Sequence, residues 1–216
     1  LGLIRDILGD LLQPACIIVR NDSPMLLAEG IEPETYVAYG EMPAPFEATG
    51  RGIKFMEDLA TGPKTGLYLD QLQNYRDVAR LARGRRVLDC FCNQGGFALA
   101  CAKAGAASVT AVDISEDAIA SVRQNAELNG VQIEAVAENA FDFLKRESDK
   151  VRNGADPKWD LIILDPPSFT RNKKSLNGAL RGYKEIHLRA MQMLPVGGVL
   201  STFCCSHHAS TSMFRE

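Results

Sequence analysis

The chain has 216 residues, 46% hydrophobic and 24% charged, with a net charge of -3. That is the balance of a globular protein with a sizeable core, and it excludes a polycationic nucleic-acid binder. No apolar run is long enough to span a bilayer, so no membrane partner is expected.

The start, Leu1-Gly-Leu-Ile-Arg-Asp6, has no basic n-region and no cleavage pattern, so no signal peptide is expected. It also lacks an initiator Met, which points to a fragment. The six cysteines are Cys16, Cys90, Cys92, Cys101, Cys204 and Cys205. None forms a C-x-x-C pair, which argues against zinc, and free thiols in a reducing cytoplasm fit best.

Residues 1–70 read as a small α+β domain. Leu3, Ile4, Ile7, Leu8, Leu11 and Leu12 recur at helical spacing. Strand-like runs follow at Ala15–Arg20 and Tyr36–Tyr39, then a hairpin over Pro45–Met56 turning near Gly50 and Gly52. Residues 71–216 alternate helix and strand. Leu72, Tyr75, Ala79 and Ala82 line one helix, stopped by Gly84. Strands are expected at Val87-Leu88, Ser108–Val112, Ile133–Ala137, Trp159–Leu164 and Val199–Phe203, with helical stripes between them. Ser115 is expected to cap one helix and Asn129-Gly130 to close it. Such alternation predicts an α/β fold with a parallel sheet covered on both faces. Ligands bind such sheets outside the carboxyl ends of the strands. Asp89, Asp113, Asp165, Cys204 and Cys205 all stand at such ends.

Val87-Leu-Asp-Cys-Phe-Cys-Asn-Gln-Gly-Gly-Phe97 is a strand entering a helix through a glycine pair. It lacks the first glycines of a dinucleotide fingerprint, so a tight pyrophosphate turn is disfavoured. Asp113 is placed to accept bonds from ribose hydroxyls. Asn139 is placed either to meet an adenine amino group or to cap the helix containing Phe141. The two prolines of Asp165-Pro166-Pro167-Ser168-Phe169 stiffen the loop and aim the Asp. Between Asp165 and Arg189 six residues are basic and two acidic, which reads either as a solvated face or as an anion contact.

Cys205 is the candidate nucleophile. Cytosine C5 is unreactive toward a methyl donor until a thiolate adds at C6, and a carboxylic group near N3 stabilises that adduct. Asp165 suits the second role. Along a strand Cys204 and Cys205 point to opposite sides, so one thiol lines a pocket. The plainer reading is that both are small buried apolar residues.

The first-strand loop resembles motif I of S-adenosylmethionine-dependent methyltransferases, and Asp165–Phe169 resembles motif IV of those acting on nucleic-acid bases. Together with Asp22-Ser-Pro-Met25, Glu29-Gly30, Lys64-Thr-Gly-Leu-Tyr-Leu-Asp-Gln71, Leu180-Arg-Gly-Tyr-Lys184 and Thr202-Phe-Cys-Cys-Ser206, they resemble the class I enzymes that make 5-methylcytosine in large-subunit ribosomal RNA, the type with an N-terminal PUA domain. The resemblance implies a Rossmann-like sheet, here C-terminally incomplete at five strands, and a chain without its PUA domain. It implies S-adenosylmethionine as cofactor, held by Gln71, Asp89, Cys90, Phe91, Asn93, Gly95, Phe97, Asp113, Ile114, Asn139 and Asp165. Catalysis falls to Cys205 and Asp165. Ribosomal RNA is the implied partner, met by Lys64, Pro166, Phe169, Arg181 and Tyr183, with a homodimer left open and a cytoplasmic setting. The family has Ser where this chain has Cys204. Rival readings are an N6-adenine or other exocyclic-nitrogen methyltransferase, a nicotinamide-dependent oxidoreductase, and a noncatalytic RNA scaffold.

Overall fold

A computed structural model describes residues 2–21, 25–59, 67–170, 176–206 and 210–215. The chain divides into two compact units, Leu1–Ala48 with Met56–Tyr68 and Thr49–Phe55 with Leu69–Glu216. In the smaller unit the leucine-rich stripe forms α1 (Gly2–Leu12). β1 (Cys16–Asn21) and β2 (Glu34–Gly40) pair antiparallel, with a register shift at Ile17/Ile18, and the short α2 (Met25–Ala28) lies between them in sequence.

The expected hairpin is β3 (Phe46–Gly50) and β4 (Ile53–Glu57). Its two-residue turn is Arg51-Gly52, with φ of 53° and 82°. Both values are left-handed, the requirement of a turn that matches strand twist, and glycine meets it without strain.

In the larger unit a 3-10 turn (Leu69–Gln71) leads into α3 (Leu72–Ala79). There follow β5 (Arg86–Cys90), α4 (Gly96–Lys103), β6 (Ser108–Asp113), α5 (Glu116–Asn129), β7 (Glu134–Ala137), α6 (Ala140–Arg152), β8 (Leu161–Leu164), α7 (Leu176–Met193), β9 (Val199–Thr202) and α8 (Thr211–Arg215). β5 to β9 form one sheet in the order β7-β6-β5-β8-β9, every pair parallel. This is the expected α/β parallel sheet. All four residues of β8 are buried, as a strand covered on both faces requires.

Alternate strand residues face alternate layers. Leu88, Cys90, Ile162 and Leu164 join Phe143, Leu144, Ile186 and Met193 of α6 and α7 in one apolar cluster. Asp89 therefore points the other way, toward α4. Ser115 caps α5 by accepting from the Ala118 N–H, and Gly130 closes it at φ 65°. At the end of α5 the Asn129 amide behaves like a strand edge. It accepts from the Lys54 N–H (3.0 Å) and donates to the Lys54 carbonyl (2.7 Å). Ile53 and Phe55, on either side of Lys54, are buried.

Candidate functional site

The strand order reverses at β5, which has β6 on one side and β8 on the other. Loops from β5 and β8 leave in opposite directions there, opening a crevice at their carboxyl ends. The β5 loop lines it with an uncommon backbone: Phe91, Asn93 and Gly95 have φ of 63°, 48° and 86°. A phenylalanine there costs ~1–2 kcal/mol, and such strain persists only where neighbours enforce it. The neighbours are identifiable. Cys92 N–H donates to the Val112 carbonyl (3.1 Å) and Asn93 N–H to Asp113 Oδ2 (2.9 Å). Gly96 follows because a Cβ there would stand 2.3 Å from the Tyr75 ring. That ring also meets Phe97 edge-on at 4.7 Å.

Asp89 is fully buried. Its Oδ2 accepts from the Ala98 N–H (3.0 Å), while Oδ1 is sealed from solvent without a hydrogen bond. Burial pushes its carboxyl well above the usual range, and the charges of Asp165 and Asp113 push the same way. Asp113 also accepts from the Ser115 N–H at Oδ1 (3.0 Å), so both its oxygens brace the loop. Asn139 caps α6, its Oδ1 accepting from the Phe141 N–H (2.9 Å). Of its two expected roles, the cap is the one the hydrogen bond supports.

From β8, Asp165 reaches the same crevice. Gln71 Nε2 donates to Asp165 Oδ2 (3.0 Å), and Asn74 Nδ2 donates to Gln71 Oε1 (2.7 Å). The exposed Cys205 donates its Sγ–H to the Pro166 carbonyl at 3.7 Å, one residue from Asp165. Cys204 turns inward, packed against the α6–α7 cluster. The thiols of Cys90, Cys92 and Cys101 are buried, and burial pushes each upward, Cys101 to about 12. They are poor nucleophiles.

Ser206 ties the β8 and β9 loops together. Its hydroxyl lies 2.7 Å from Tyr183 Oη and 3.0 Å from Ser168 Oγ. Phe169 stacks on Tyr183 with centroids 4.6 Å apart, and Phe91 and Phe141 adjoin Phe169.

The family model of S-adenosylmethionine-dependent methyltransferases matches residues 26–214. The chain belongs to that family. It is 42% identical over 212 residues to the ribosomal RNA large subunit methyltransferase I of Aeromonas hydrophila, covering 95% of this chain and 52% of the relative. The chain thus spans about half the length of the curated relatives it matches. The crystal structure of SMU.776 complexed with SAH superposes with a TM-score of 0.69 at 29% identity, covering 84% of this chain and 47% of that one. A SAM-dependent methyltransferase from Agrobacterium tumefaciens shares the fold, with a TM-score of 0.70 at 21% identity over 93% of this chain and 64% of that one.

The residues present fit the methyltransferase cofactor, S-adenosylmethionine. The orphaned Asp89 Oδ1 is an acceptor waiting for a donor such as an ammonium group. Asp89, Cys90, Phe91, Asn93, Gly95 and Phe97 lie on β5, its loop and the start of α4, with Asp113 and the exposed Ile114 on the next strand end. Gln71 and Asp165 meet directly. Cys90 and Phe97 are buried behind the loop, and so support it from within. Pro166 is buried and Phe169 half-buried. Tyr183, expected on the RNA face, is 2% exposed. Its hydroxyl, pushed up to about 12 by burial with Cys204 beside it adding to the rise, is spent on Ser206. It braces the thiol loop from behind, while Arg181 is exposed. Lys64, Arg171, Lys173 and Lys174, with Asp22 to Pro24, lie outside the described residues.

Sequence reasoning missed Asn74 and Ser206. Asn74 had a legible signal, since residues three apart at a helix start share a face. Ser206 stands in the Thr202–Ser206 run, but its bracing role was not legible there, because its partners are 23 and 38 residues away.

Proposed function

We propose that this chain carries the catalytic machinery of an S-adenosylmethionine-dependent enzyme that methylates C5 of cytosine in large-subunit ribosomal RNA in the cytoplasm. The observation that carries the reading is the exposed Cys205 thiol on the Pro166 carbonyl, one residue from Asp165. The name of the Aeromonas hydrophila relative supports the RNA substrate.

The bound cofactor supplies an electrophilic methyl group on a sulfonium. Asp89 would hold its amino group at Oδ1, with the β5 loop shaping the cradle. Asp113, whose oxygens keep lone pairs beyond their amide bonds, would meet the ribose. Cys205 first gives its Sγ–H proton to water, and the thiolate adds to C6 of the cytosine, forming a C–S bond and shifting an electron pair toward N3. Asp165, as the acid, gives N3 a proton. C5, now enamine-like, takes the methyl group. The C5 proton then passes to water, the C–S bond breaks, Cys205 leaves as thiolate and Asp165 recovers its proton.

RNA would approach across α7. A depression of about 320 Å³ runs along it, lined by Arg152, Arg181, Lys184, Leu188 and Arg189. Arg189 pairs with Glu185 and Arg152 with Asp149. Arg181 and Lys184 are exposed with no partner among the described residues, ready for phosphates.

RNA carrying 5-fluorocytidine tests the reading, because fluorine occupies the position whose proton must leave. The full-length protein is expected to form a covalent complex with it, and Cys205→Ala to form none and to lose methyl transfer. Cys204→Ser is expected to keep activity. Full activity in both Cys205→Ala and Cys204→Ala would sink the mechanism. Methylation mapped to an exocyclic nitrogen would favour the thiol-independent alternative.

A further inference from the structure

We infer that the outward arginines of α3 and its continuation, Arg76, Arg80 and Arg83, hold phosphates of the RNA strand on the side of the crevice opposite Arg181 and Lys184. The inference rests on the RNA-substrate reading above. It adds the path of the strand, along α7 on one side of the target base and along α3 on the other.

Between Leu72 and Arg86 five residues are arginine and one, Asp77, is acidic, in a chain of net charge -3. Positions 76, 80 and 83 are four and three apart, which puts them on one helical face. α3 ends at Ala79, but its turns go on. The Leu81 N–H donates to the Val78 carbonyl (2.9 Å) and the Ala82 N–H to the Ala79 carbonyl (3.0 Å). Tyr75, Val78 and Ala82 are buried on the inner face, and the three arginines are exposed on the outer one. Successive arginines stand roughly 6 Å apart along the axis. A row of cations at such steps can track the backbone of a single strand.

Structural duties account for the neighbouring arginines but not for this row. Arg85 donates to the Asp160 carbonyl, and Arg86 grips the Asp160 carboxylate. Arg76 and Arg83 have no partner among the described residues. Arg80 pairs with Asp77 at 3.1 Å, with the two side chains 63% and 48% exposed. A pair so open to water is worth little and yields to a phosphate. A cation in the last turn of a helix complements its dipole. That explains Arg76 alone, not a row that runs past the helix end.

The placement of α3 turns the row toward the substrate. Gln71, just before the helix, donates to Asp165 Oδ2 (3.0 Å), so α3 starts at the crevice. Arg76 follows five residues later, roughly 7 Å along the axis. The chain then runs away from the mouth, until the Gly84 N–H donates to the Gly105 carbonyl (2.8 Å) just before β5. α3 packs on α4, whereas α6 and α7 cover the other face of the sheet. A strand that sets one base into the crevice crosses the carboxyl ends from face to face. Its two flanks therefore meet α7 and α3. Beyond α4 lies α5, with three acidic residues and one basic. That charge repels phosphate and leaves α3 as the favoured track.

The test uses the full-length protein and an unmodified transcript of large-subunit ribosomal RNA. Arg76→Ala with Arg83→Ala is expected to raise the Kd for this RNA about tenfold at about 0.1 M salt, the worth of two exposed ion pairs. The slope of log affinity against log salt should flatten by about 1.4, the value for two single-strand phosphates. Arg76→Lys with Arg83→Lys should keep the wild-type slope, which separates charge from packing. S-adenosylmethionine affinity and Tm should be unchanged in both. Joined to Arg181→Ala and Lys184→Ala, the alanine pair should flatten the slope by about 2.8 in all, because one strand occupies both rows at once. A wild-type slope in Arg76→Ala with Arg83→Ala would overturn the inference. So would a fourfold variant no flatter than the Arg181 and Lys184 pair alone. Failure of the parent reading shows elsewhere: wild-type protein that binds the transcript yet forms no covalent complex with 5-fluorocytidine RNA loses the cytosine mechanism, while the salt slopes still report on α3.

Discussion

Replacing Asp89 by Asn removes a buried ionisable carboxyl without changing the size of the side chain. In the folded chain the carboxyl holds its proton more tightly than when unfolded, since its pKa is raised by burial. Its contribution to stability is complete below the ordinary carboxylate pKa, near 4, and is lost as pH rises above it. Asp89→Asn is therefore expected to stabilise the cofactor-free protein by about 1–3 kcal/mol near neutral pH. That corresponds to a Tm rise of roughly 2–4 °C per kcal/mol for a chain of this size. The gain should vanish toward pH 4. The same variant should weaken S-adenosylmethionine binding by about 10- to 100-fold, the worth of a charge-assisted hydrogen bond. Thermal melts across pH, with and without cofactor, check both halves. A variant less stable than wild type at neutral pH would show that Oδ1 finds a partner in solution. At this scale the sequence was legible where a residue stands at a strand end, as Asp89, Asp113, Asp165 and Cys205 do. It was not legible where the role depends on a partner far along the chain. Gln71 and Asp165 are 94 residues apart, and nothing local to Tyr183 shows that Ser206 will bury its hydroxyl.

At the scale of elements, strands and helices came through because their periodicities differ and their ends are marked by Ser115, Asn139 and glycines. Observed and expected strands agree within a residue or two, β5 extending the expected Val87-Leu88 to Arg86–Cys90. Which strands would be neighbours was not written in any one segment. One bond between elements illustrates this. Arg86 at the start of β5 grips Asp160 just before β8 through two side-chain bonds, at 2.9 and 2.7 Å. The Arg86 guanidinium holds the Asp160 carboxyl down to about 2. That stabilisation is present above pH 4 and lost as pH falls toward 2. Because the pair is partly exposed, Asp160→Asn should cost no more than about 1 kcal/mol at neutral pH. Urea midpoints of wild type and variant should converge as pH drops from 4 to 2. A gap that persists at pH 2 would place the effect in the backbone rather than in the charge.

Across the whole molecule, charge is uneven, with six basic and two acidic residues between Asp165 and Arg189 in a chain that is acidic in sum. The net charge of -3 is no obstacle to RNA, because Arg181 and Lys184, exposed on α7 with no partner among the described residues, need only meet two phosphates locally. Arg181→Ala with Lys184→Ala is expected to lower RNA affinity and to flatten its dependence on log salt by about 1.5, the slope for two single-strand phosphate contacts. Cofactor affinity should be unchanged. An unaltered salt slope would move the RNA to another face. The crevice owes its existence to a global property, the reversal of strand order at β5, which composition and periodicity imply for this class of sheet but do not locate. The family resemblance located it, through the residues at 87–97 and 165–169.

The Asn129 clamp on Lys54 has a consequence for how this protein can be taken apart. The chain crosses between its compact units after residues 48, 55 and 68. The larger unit is therefore not one uninterrupted stretch. A gene fragment starting near residue 70 would omit Ile53 and Phe55 and leave the Asn129 amide without the backbone it imitates a strand to hold. Transplanting the methyl-transfer machinery onto another scaffold would need two pieces of chain, a seven-residue hairpin tip and the long segment after it. Fusion junctions and circular permutations must respect that lacing.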